Sequence, residues 1–488
     1  LLVHGGSSIS EKDRQGDTVV HLAVMGDFVH VITLLGQAGA NLSEKSANGQ
    51  TPLIRAAMNG RLSAVQTLVG LDPEISLRDA DKDGYTPLLC AALHGHTFVL
   101  EWLLAKDGTL LSNRSNSGQT ALHCAVREGH LATINLLKDR GAILNEKDKN
   151  GMTACLRAAM NGRLEVVQWF YSQDPKLIDT CDNDGDTPLI CAAMNGHRAV
   201  VQFLHEKGAD VAKRNNYQFT ALIRASMNGK TSVVEYLVAT ANVSVNERDK
   251  DGYTPILCAA LHGHMETLEW LYAHGKASIS DISTSKRTLM MCAARNGHVK
   301  VMNWIYNRNS ESLHDIDQHH DTPLICAAMN GHTEAIKWLY EHKRGLVSQA
   351  NVDGHTPLIR AAMNGRLESV KWLINEGGAK INERDLDGYT PTICAALHGQ
   401  LTLLQWFLSP TGGKASLSEA TSQGQTALLC AARNGKTTVV QWILTNHAIS
   451  PQDMDVLMQY ARKYNHTDLV TWLEAEYPQL KTKANSVN

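Results

Sequence analysis

A threonine recurs through the whole chain at intervals of 33 to 36 residues, and this period constrains the fold more than any other feature. The thirteen positions are Thr18, Thr51, Thr86, Thr120, Thr153, Thr187, Thr220, Thr254, Thr288, Thr322, Thr356, Thr390 and Thr426. A chain of 488 residues would otherwise suggest about three domains, since one core rarely grows beyond about 250 to 300 residues. So regular a repeat predicts instead an array of small units, each packed on its neighbours.

Each threonine opens a segment of the same kind, whose full form is Thr-Pro-Leu-x-x-Ala-Ala-x-x-Gly, as in residues 187–196. Thr187 can cap the N-terminus of a helix, Pro188 suits its first position, and Gly196 can end it. A second helix is predicted as well, because residues 163–170 (RLEVVQWF) carry an apolar stripe at helical spacing. Helices of about eight to ten residues are marginal alone in water, so packing between repeats must hold them.

The pattern resembles the ankyrin repeat, whose sequence Gly-x-Thr-Pro-Leu-His-x-Ala-Ala-x-x-Gly-His precedes a helix of the form Val-Val-x-Leu-Leu. The resemblance covers almost the whole chain. It implies an all-α repeat solenoid, a curved superhelical array of helix-turn-helix repeats with short β-hairpin-like tips. The chain departs from the family pattern at the histidine of Thr-Pro-Leu-His, which stands only at His21 and His123. Other repeats exchange that hydrogen-bonding group for an apolar side chain.

The resemblance also implies boundaries along the chain. Residues 1–15 are the second half of a truncated repeat, residues 16–449 hold thirteen ankyrin-type repeats, residues 450–478 form a degenerate C-terminal capping repeat, and residues 479–488 are a loose tail. Residue 1 is Leu rather than Met, and residues 1–6 resemble the end of a repeat. We therefore expect the sequence to be a fragment of a longer protein.

Composition and charge favour a folded protein with no electrostatic surface for nucleic acid. Hydrophobic residues make up 43% of the chain, and 46 basic residues against 49 acidic ones give a net charge of -3. Such a balance predicts no basic patch for phosphate backbones or anionic membranes. The sequence contains no apolar run of about 18 residues and no signal peptide, so we predict no membrane insertion.

Eight of the ten cysteines recur at the repeat spacing. They are Cys90, Cys124, Cys191, Cys258, Cys292, Cys326, Cys394 and Cys430. Equivalent positions in stacked repeats should lie about 8 to 10 Å apart, which is beyond the reach of a disulfide. We therefore predict reduced thiols and a cytoplasmic or otherwise intracellular location.

In the ankyrin family, partners usually dock on the concave face of the array, which hairpin tips and the ends of the first helices form. The two residues before the glycine of each repeat, here called the helix-end row, are therefore candidates for partner binding. They are Met58-Asn59, Leu93-His94, Arg127-Glu128, Met160-Asn161, Met194-Asn195, Met227-Asn228, Leu261-His262, Arg295-Asn296, Met329-Asn330, Met363-Asn364, Leu397-His398 and Arg433-Asn434. Met is adaptable while Asn and His form hydrogen bonds, a combination that suits an extended peptide surface. Alternatively, these residues only complete a short helix before its glycine.

Two further sets of residues are candidates for the same surface. Tyr85, Tyr253 and Tyr389 precede the repeat threonine, where we expect exposed tips that anchor a partner. Four residues after the threonine, arginines replace the usual cysteine, at Arg55, Arg157, Arg224 and Arg360. These arginines either reach the binding groove or pair with an acid in the next repeat.

All nine tryptophans occupy one position of the second helix, seven residues after the position that carries glycine in most repeats. They are Trp102, Trp169, Trp270, Trp304, Trp338, Trp372, Trp406, Trp442 and Trp472. An aromatic ladder for a ligand is one interpretation. Because the position lies on the apolar stripe, we predict that the tryptophans pack in the core.

Signals for metal sites and catalysis are weak. Residues 79–84 (DADKDG) imitate the start of a calcium loop, but Cys90 stands where that loop needs a bidentate glutamate. His94 and His96, like His262 and His264, lack the further ligands that zinc requires. The sequence contains no phosphate-binding loop, nucleophile elbow or His-Glu-x-x-His helix. We therefore predict no catalytic residues, no cofactor and no metal.

These observations lead to one main functional hypothesis. The chain is predicted to be a non-enzymatic, intracellular scaffold that binds a protein partner on the concave face. The alternative is a recognition or targeting arm of a larger enzyme or secreted effector whose catalytic domain lies outside this fragment. Direct binding of a ligand or metal by the array is a third hypothesis. The sequence does not identify the partner, since one fold serves many functions.

Overall fold

A computed structural model describes residues 9–478 of the chain. The predicted tail at 479–488 and the first eight residues of the predicted half-repeat lie outside the described residues. The chain divides into two compact units, of which the first ends at Lys250 and the second begins at Asp251.

The first unit is a series of helix pairs. The first helices of its pairs are α1 (Val19–Met25), α3 (Pro52–Met58), α5 (Pro87–Leu93), α7 (Ala121–Glu128), α9 (Ala154–Met160), α11 (Pro188–Asn195) and α13 (Ala221–Met227). The second helices are α2 (Val29–Gln37), α4 (Leu62–Leu71), α6 (Thr97–Lys106), α8 (Leu131–Asp139), α10 (Leu164–Gln173), α12 (Arg198–Glu206) and α14 (Thr231–Ala239). Short 3-10 helices at Gly108–Ser112 and Pro175–Asp179 lie in two of the connections.

The second unit repeats this plan. Its first helices are α15 (Pro255–His262), α17 (Leu289–Arg295), α19 (Pro323–Asn330), α21 (Pro357–Met363), α23 (Pro391–His398), α25 (Ala427–Arg433) and α27 (Pro451–Lys463). The second helices are α16 (Met265–Ala273), α18 (Val299–Tyr306), α20 (Thr333–His342), α22 (Leu367–Asn375), α24 (Leu401–Leu408), α26 (Thr437–Asn446) and α28 (Thr467–Glu476). Its 3-10 helices are Ser310–His314 and Arg344–Ser348.

The helix signals of the sequence act as predicted. At the start of α11, the Thr187 hydroxyl accepts a hydrogen bond from the Ile190 amide at 3.3 Å, and Pro188 occupies the first position. Gly196 ends the helix in the left-handed conformation, with φ of 85°. The same hydroxyl-to-amide cap recurs in other repeats, as at Thr51 and Thr322, and a left-handed glycine also ends α7 and α19.

Packing between successive pairs forms the core of each unit. Each first helix contacts the first helices of the neighbouring pairs. In the first unit α3 contacts α1 and α5, and in the second unit α19 contacts α17 and α21. The alanine pairs of these helices, such as Ala91 and Ala92, are fully buried, and their small side chains let neighbouring helices approach closely. Together with the helix pairs, this contact order confirms the predicted all-α repeat solenoid.

The hairpins ahead of the first helices are tight turns tied to one another. The carboxylate of Asp81 accepts the backbone N–H groups of Asp83 and Tyr85, at 3.0 and 2.8 Å. Each tip also donates one backbone hydrogen bond to the tip before it, as Lys82 does to the carbonyl of Asn48 at 3.1 Å. Strand pairing within residues 9–478 is limited to isolated bridges. The tips therefore stack in register without forming a sheet.

Candidate functional site

The helix-end row lies at the surface of each unit, at the C-terminal ends of the first helices. The methionines of the row are half-buried. The residue that follows each of them is half-buried or exposed, and His94, His262 and His398 are all exposed. The repeats that carry Met-Asn or Leu-His in the row therefore present an apolar side chain beside a polar one, whereas the three that carry an arginine present two polar side chains.

The asparagines of the row cap their own helices, with one exception. Asn296 donates its side-chain Nδ2 to the Leu261 carbonyl of the preceding repeat at 2.6 Å. In the others, Nδ2 donates to the backbone carbonyl four residues earlier, at 2.8 to 3.0 Å. The pairs are Asn59 with Arg55, Asn161 with Arg157, Asn195 with Cys191, Asn228 with Arg224, Asn330 with Cys326, Asn364 with Arg360, and Asn434 with Cys430. Helix completion is thus a real function of these side chains. The Oδ1 atoms accept no hydrogen bond within the described part of the chain, and they stay available as acceptors.

The four arginines pair internally, beside the helix-end row. Arg55 Nη2 lies 2.8 Å from the Asp17 carboxylate, and Arg224 lies 3.2 Å from Asp186. Asp17 and Asp186 come directly before the threonine of the preceding repeat, so the expectation of an acid in the next repeat is wrong.

The remaining two arginines, Arg360 and Arg157, find their acids in different places. Arg360 pairs with Asp321, which precedes the threonine of the preceding repeat, at 3.3 Å. Where the preceding repeat carries Gln119 in that position, Arg157 binds Asp148 of its own hairpin at 2.7 Å. The aspartates are buried, and a guanidinium beside each carboxylate satisfies its charge. These arginines therefore act first as links within and between repeats.

The tyrosines are less accessible than the sequence suggested. Tyr253 is only 9% exposed, so the expectation of an exposed tip is wrong for it, and Tyr85 and Tyr389 are half-buried. The Tyr85 hydroxyl donates to Gln119 Oε1 at 3.0 Å, and Arg287 donates to the Tyr253 hydroxyl at 3.3 Å. Burial raises the pKa of the three phenols. The hydroxyls of Tyr85 and Tyr253 thus bind side chains of the following repeat.

The histidines after the glycines are also structural. His96 Nε2 hydrogen-bonds the carbonyl of Met58 in the preceding repeat at 2.9 Å, and His197 does the same with Met160 at 3.0 Å. A Cβ at Gly60, which has φ of 69°, would collide with the His96 ring. Only glycine permits this approach, so the glycine of one repeat and the histidine after the glycine of the next repeat form a joint between them.

The geometry also bears on the two metal motifs. The carboxylate of Asp81, inside the calcium-like stretch, is engaged by the backbone of its own turn. No group of three or more His, Cys, Asp or Glu side chains within residues 9–478 is arranged to hold a metal ion.

Nine of the ten cysteines are buried, and Cys181 is exposed. Burial raises the pKa of Cys124 and of Cys155 to about 12, so both stay protonated and unreactive near neutral pH. These thiols act as small apolar residues of the core.

The tryptophans occupy an intermediate environment. Trp304 is buried, but the other eight are half-buried on the second helices. In the second unit, the Tyr272 ring meets Trp304 edge-to-face with centroids 5.2 Å apart, and Tyr340 meets Trp372 at the same distance. The aromatic line thus joins neighbouring second helices, on elements other than those that carry the helix-end row.

Three exposed apolar residues lie on hairpin tips at positions that the repeat pattern did not point to. They are Tyr217 in the first unit, and Val352 and Leu386 in the second. Each stands three or four residues before the repeat threonine, where most other repeats carry a polar residue. This departure from the repeat pattern is the signal that could have identified them.

Comparison with known proteins assigns the chain to a family. A family model described as ankyrin repeats, in three copies, matches residues 1–79, 72–148, 135–216, 155–249, 222–317, 307–385 and 392–484. The chain belongs to the ankyrin-repeat family. This family generally mediates protein–protein interaction and is generally non-catalytic.

One curated relative shows a local similarity. A stretch of 78 residues is 33% identical to alpha-latrotoxin-Lh1a from Latrodectus hasselti. The match covers 16% of this ankyrin-repeat chain and 6% of the toxin's own length. None of the helices described between residues 9 and 478 has the length and apolar character needed to cross a membrane.

Proposed function

We propose that this ankyrin-repeat chain is a non-enzymatic scaffold that binds a partner protein along the helix-end row and the neighbouring hairpin tips. The observation that carries the proposal is the recurrence, within each unit, of a half-buried methionine followed by an asparagine with an unused Oδ1.

The chemistry of the row suits an extended segment of a partner. A thioether adapts its shape to different apolar side chains, and an amide oxygen accepts a backbone N–H from a peptide. Because Nδ2 of each asparagine that follows a methionine is held by its own helix, Oδ1 has a fixed direction before binding. Preorganised acceptors reduce the entropy lost on association. Many modest contacts of this kind add up to a stable interface.

The first unit offers a matched pair of variants to test this. Met58→Glu, Met160→Glu and Met194→Glu place three charges on the helix-end row. In the control, Gln66→Glu, Gln168→Glu and Gln202→Glu place the same charges eight residues later, on exposed positions of the second helices. Both proteins are first checked for native helix content by circular dichroism.

The parent, the row variant and the control are then used to capture proteins from cell extract, and the affinity of each captured protein is measured. We expect the row variant to bind its partner at least about tenfold more weakly than the parent, because each charge is buried against an apolar group. The control should bind like the parent. Equal binding by the row variant, or a loss confined to the control, would place the interface elsewhere.

A second candidate function is the targeting arm of a larger or secreted protein, and the local match to alpha-latrotoxin-Lh1a favours it. The same capture experiment distinguishes the intracellular scaffold from the targeting arm. A row-dependent partner in the cytosolic fraction supports the intracellular scaffold and the predicted reducing compartment. A row-dependent partner with extracellular domains in the membrane fraction supports the targeting arm.

A further inference from the structure

A cleft lies between two successive connections of the first unit. Its volume of about 420 Å³ is within the range of about 300 to 1,000 Å³ that small-molecule sites occupy. The 3-10 helix at Gly108–Ser112, the start of α7 and the connection after α8 line it. We call it the α7 cleft. Because it lies at the N-terminal end of a first helix, it is a different surface from the helix-end row.

The α7 cleft has a counterpart two repeats later, at the start of α11. Thr187 and Gly208 of that α11 cleft stand 67 residues after Thr120 and Gly141 of the α7 cleft. The α11 cleft has a volume of about 250 Å³. In both places a connection that carries a 3-10 helix is followed by a connection that has none. This change of conformation between neighbouring connections opens a cleft, and the two clefts can be compared position by position.

Ile143, on the wall of the α7 cleft, departs from the repeat pattern. It stands ten residues before its repeat threonine. In six other connections a side-chain oxygen at this position accepts the backbone N–H of the residue two places later, at 2.9 to 3.2 Å. These residues are Asn41, Ser76, Asp210, Ser244, Ser278 and Ser416. Ile143 cannot accept such a bond and is 60% exposed. The chain thus gives up a turn hydrogen bond here and places an apolar side chain on the cleft.

The wall of the α7 cleft is apolar, whereas that of the α11 cleft is not. Besides Ile143, the half-buried Leu111 and the buried Leu122 line the α7 cleft. At the positions of Ser112, Ile143 and Glu146, the α11 cleft carries Asp179, Asp210 and Lys213. The apolar wall is therefore a property of the α7 cleft rather than of the repeat architecture.

Two charged residues complete the lining of the α7 cleft. Arg114 Nη2 donates a hydrogen bond to Glu146 Oε1, and the two side chains form an ion pair. Within the described part of the chain, Glu146 Oε2 accepts no hydrogen bond. An apolar wall, a guanidinium and one unused acceptor therefore lie around a single cleft.

We propose that the α7 cleft binds a neutral aromatic group that carries one N–H or O–H donor, such as indole or phenol. The apolar wall buries the ring, and the guanidinium of Arg114 attracts the ring face. Glu146 Oε2 accepts the donor, and the same carboxylate disfavours an anionic group. Two sources share this chemistry, a free small molecule and the tryptophan or tyrosine side chain of a partner. The inference does not depend on the function proposed for the helix-end row.

The first test titrates the whole chain, with ¹³C-labelled isoleucine methyl groups, with a fluoroindole. We expect the Ile143 methyl resonance to shift through the ring current, while that of Ile178 in the α11 cleft stays unchanged. Fluorine NMR of the same probe gives its affinity. Ile143→Asn, which copies the turn acceptor of Asn41, should weaken binding at least about tenfold. Ile316→Asn, at another exposed isoleucine, is the control and should bind like the parent.

Two further probes test the donor and the source. The N-methyl derivative of the fluoroindole has no N–H, so it should bind at least about fivefold more weakly. N-acetyl-tryptophanamide presents indole as a protein does. Binding of both indoles supports the side chain of a partner, and binding of the free fluoroindole alone supports a small molecule. No shift of the Ile143 methyl, equal shifts at Ile143 and Ile178, or unchanged affinity in Ile143→Asn would overturn the proposal. Equal affinity of the N-methyl derivative would overturn the role of Glu146.

Discussion

Glu383 gives the second unit a pH-dependent stability that can be measured. It lies in the connection after α22, where the Thr356 hydroxyl donates a hydrogen bond to its Oε1 atom. Burial raises the pKa of this carboxyl from 4.5 to about 7, and the hydrogen bond from Thr356 offsets part of that effect. The folded unit therefore favours the protonated form of Glu383.

The sign and size of the effect follow from linkage. A carboxyl whose pKa is raised on folding stabilises the protein fully below pH 4.5, and this contribution is lost as the pH rises toward 7. At about 1.4 kcal/mol per pKa unit, the difference corresponds to at most about 3 kcal/mol. Above pH 7 the loss is complete and stays constant.

Glu383→Gln removes the charge and keeps an oxygen that accepts from Thr356. We expect the variant to match the parent at pH 4 and to be more stable by up to about 3 kcal/mol at pH 8. Because a solenoid need not unfold in one step, the assay is hydrogen exchange of the α21 and α23 amides, which reports local opening. Glu368→Gln, at an exposed carboxylate, is the control and should give no such pH dependence. The reasoning would be refuted if Glu383→Gln were no more stable than the parent at pH 8, or if it were stabilised by the same amount at pH 4.

Three further predictions concern the core and its links. Arg224→Met should destabilise the first unit by about 3 to 5 kcal/mol, because it leaves the Asp186 carboxylate buried without its guanidinium, and adding Asp186→Asn should recover part of the loss in denaturant titrations. Phe170→Ala should cost about 3 to 5 kcal/mol by the same measurement, since the ring is fully buried. A thiol reagent at neutral pH should modify Cys181 alone in the folded protein, and mass spectrometry that finds rapid labelling of the buried cysteines would contradict the structure.

The repeat architecture was predictable because its signals are local. A capping threonine, a proline in the first turn and a left-handed glycine act within about ten residues, so the pattern around Thr187 and Gly196 defines a helix without knowledge of the rest. The division after Lys250 was not predictable in this way. The threonines on either side of it, at 220 and 254, keep the ordinary spacing of the repeat.

The contacts that side chains of the candidate surface make depend on which repeat lies next to them in space, and the sequence does not give this. The arginine pattern predicted internal pairing as one alternative, but the acid of Arg55 is Asp17 in the preceding repeat. Tyr253 looked like an exposed anchor because it follows a turn, whereas its ring is covered. Both errors arise because a period of 33 to 36 residues does not reveal which neighbouring repeat a side chain meets. The binding role of the helix-end row stays a prediction.

Site-specific photo-crosslinking tests that role most directly. A photoreactive amino acid is placed at Met58, Met160 or Met194 of the helix-end row, and at the matched second-helix positions Gln66, Gln168 or Gln202. We predict that the row positions form covalent adducts with one partner protein and that the matched positions form none. Adducts only from the second helices, or equally from both sets, would contradict the claim that the helix-end row binds the partner.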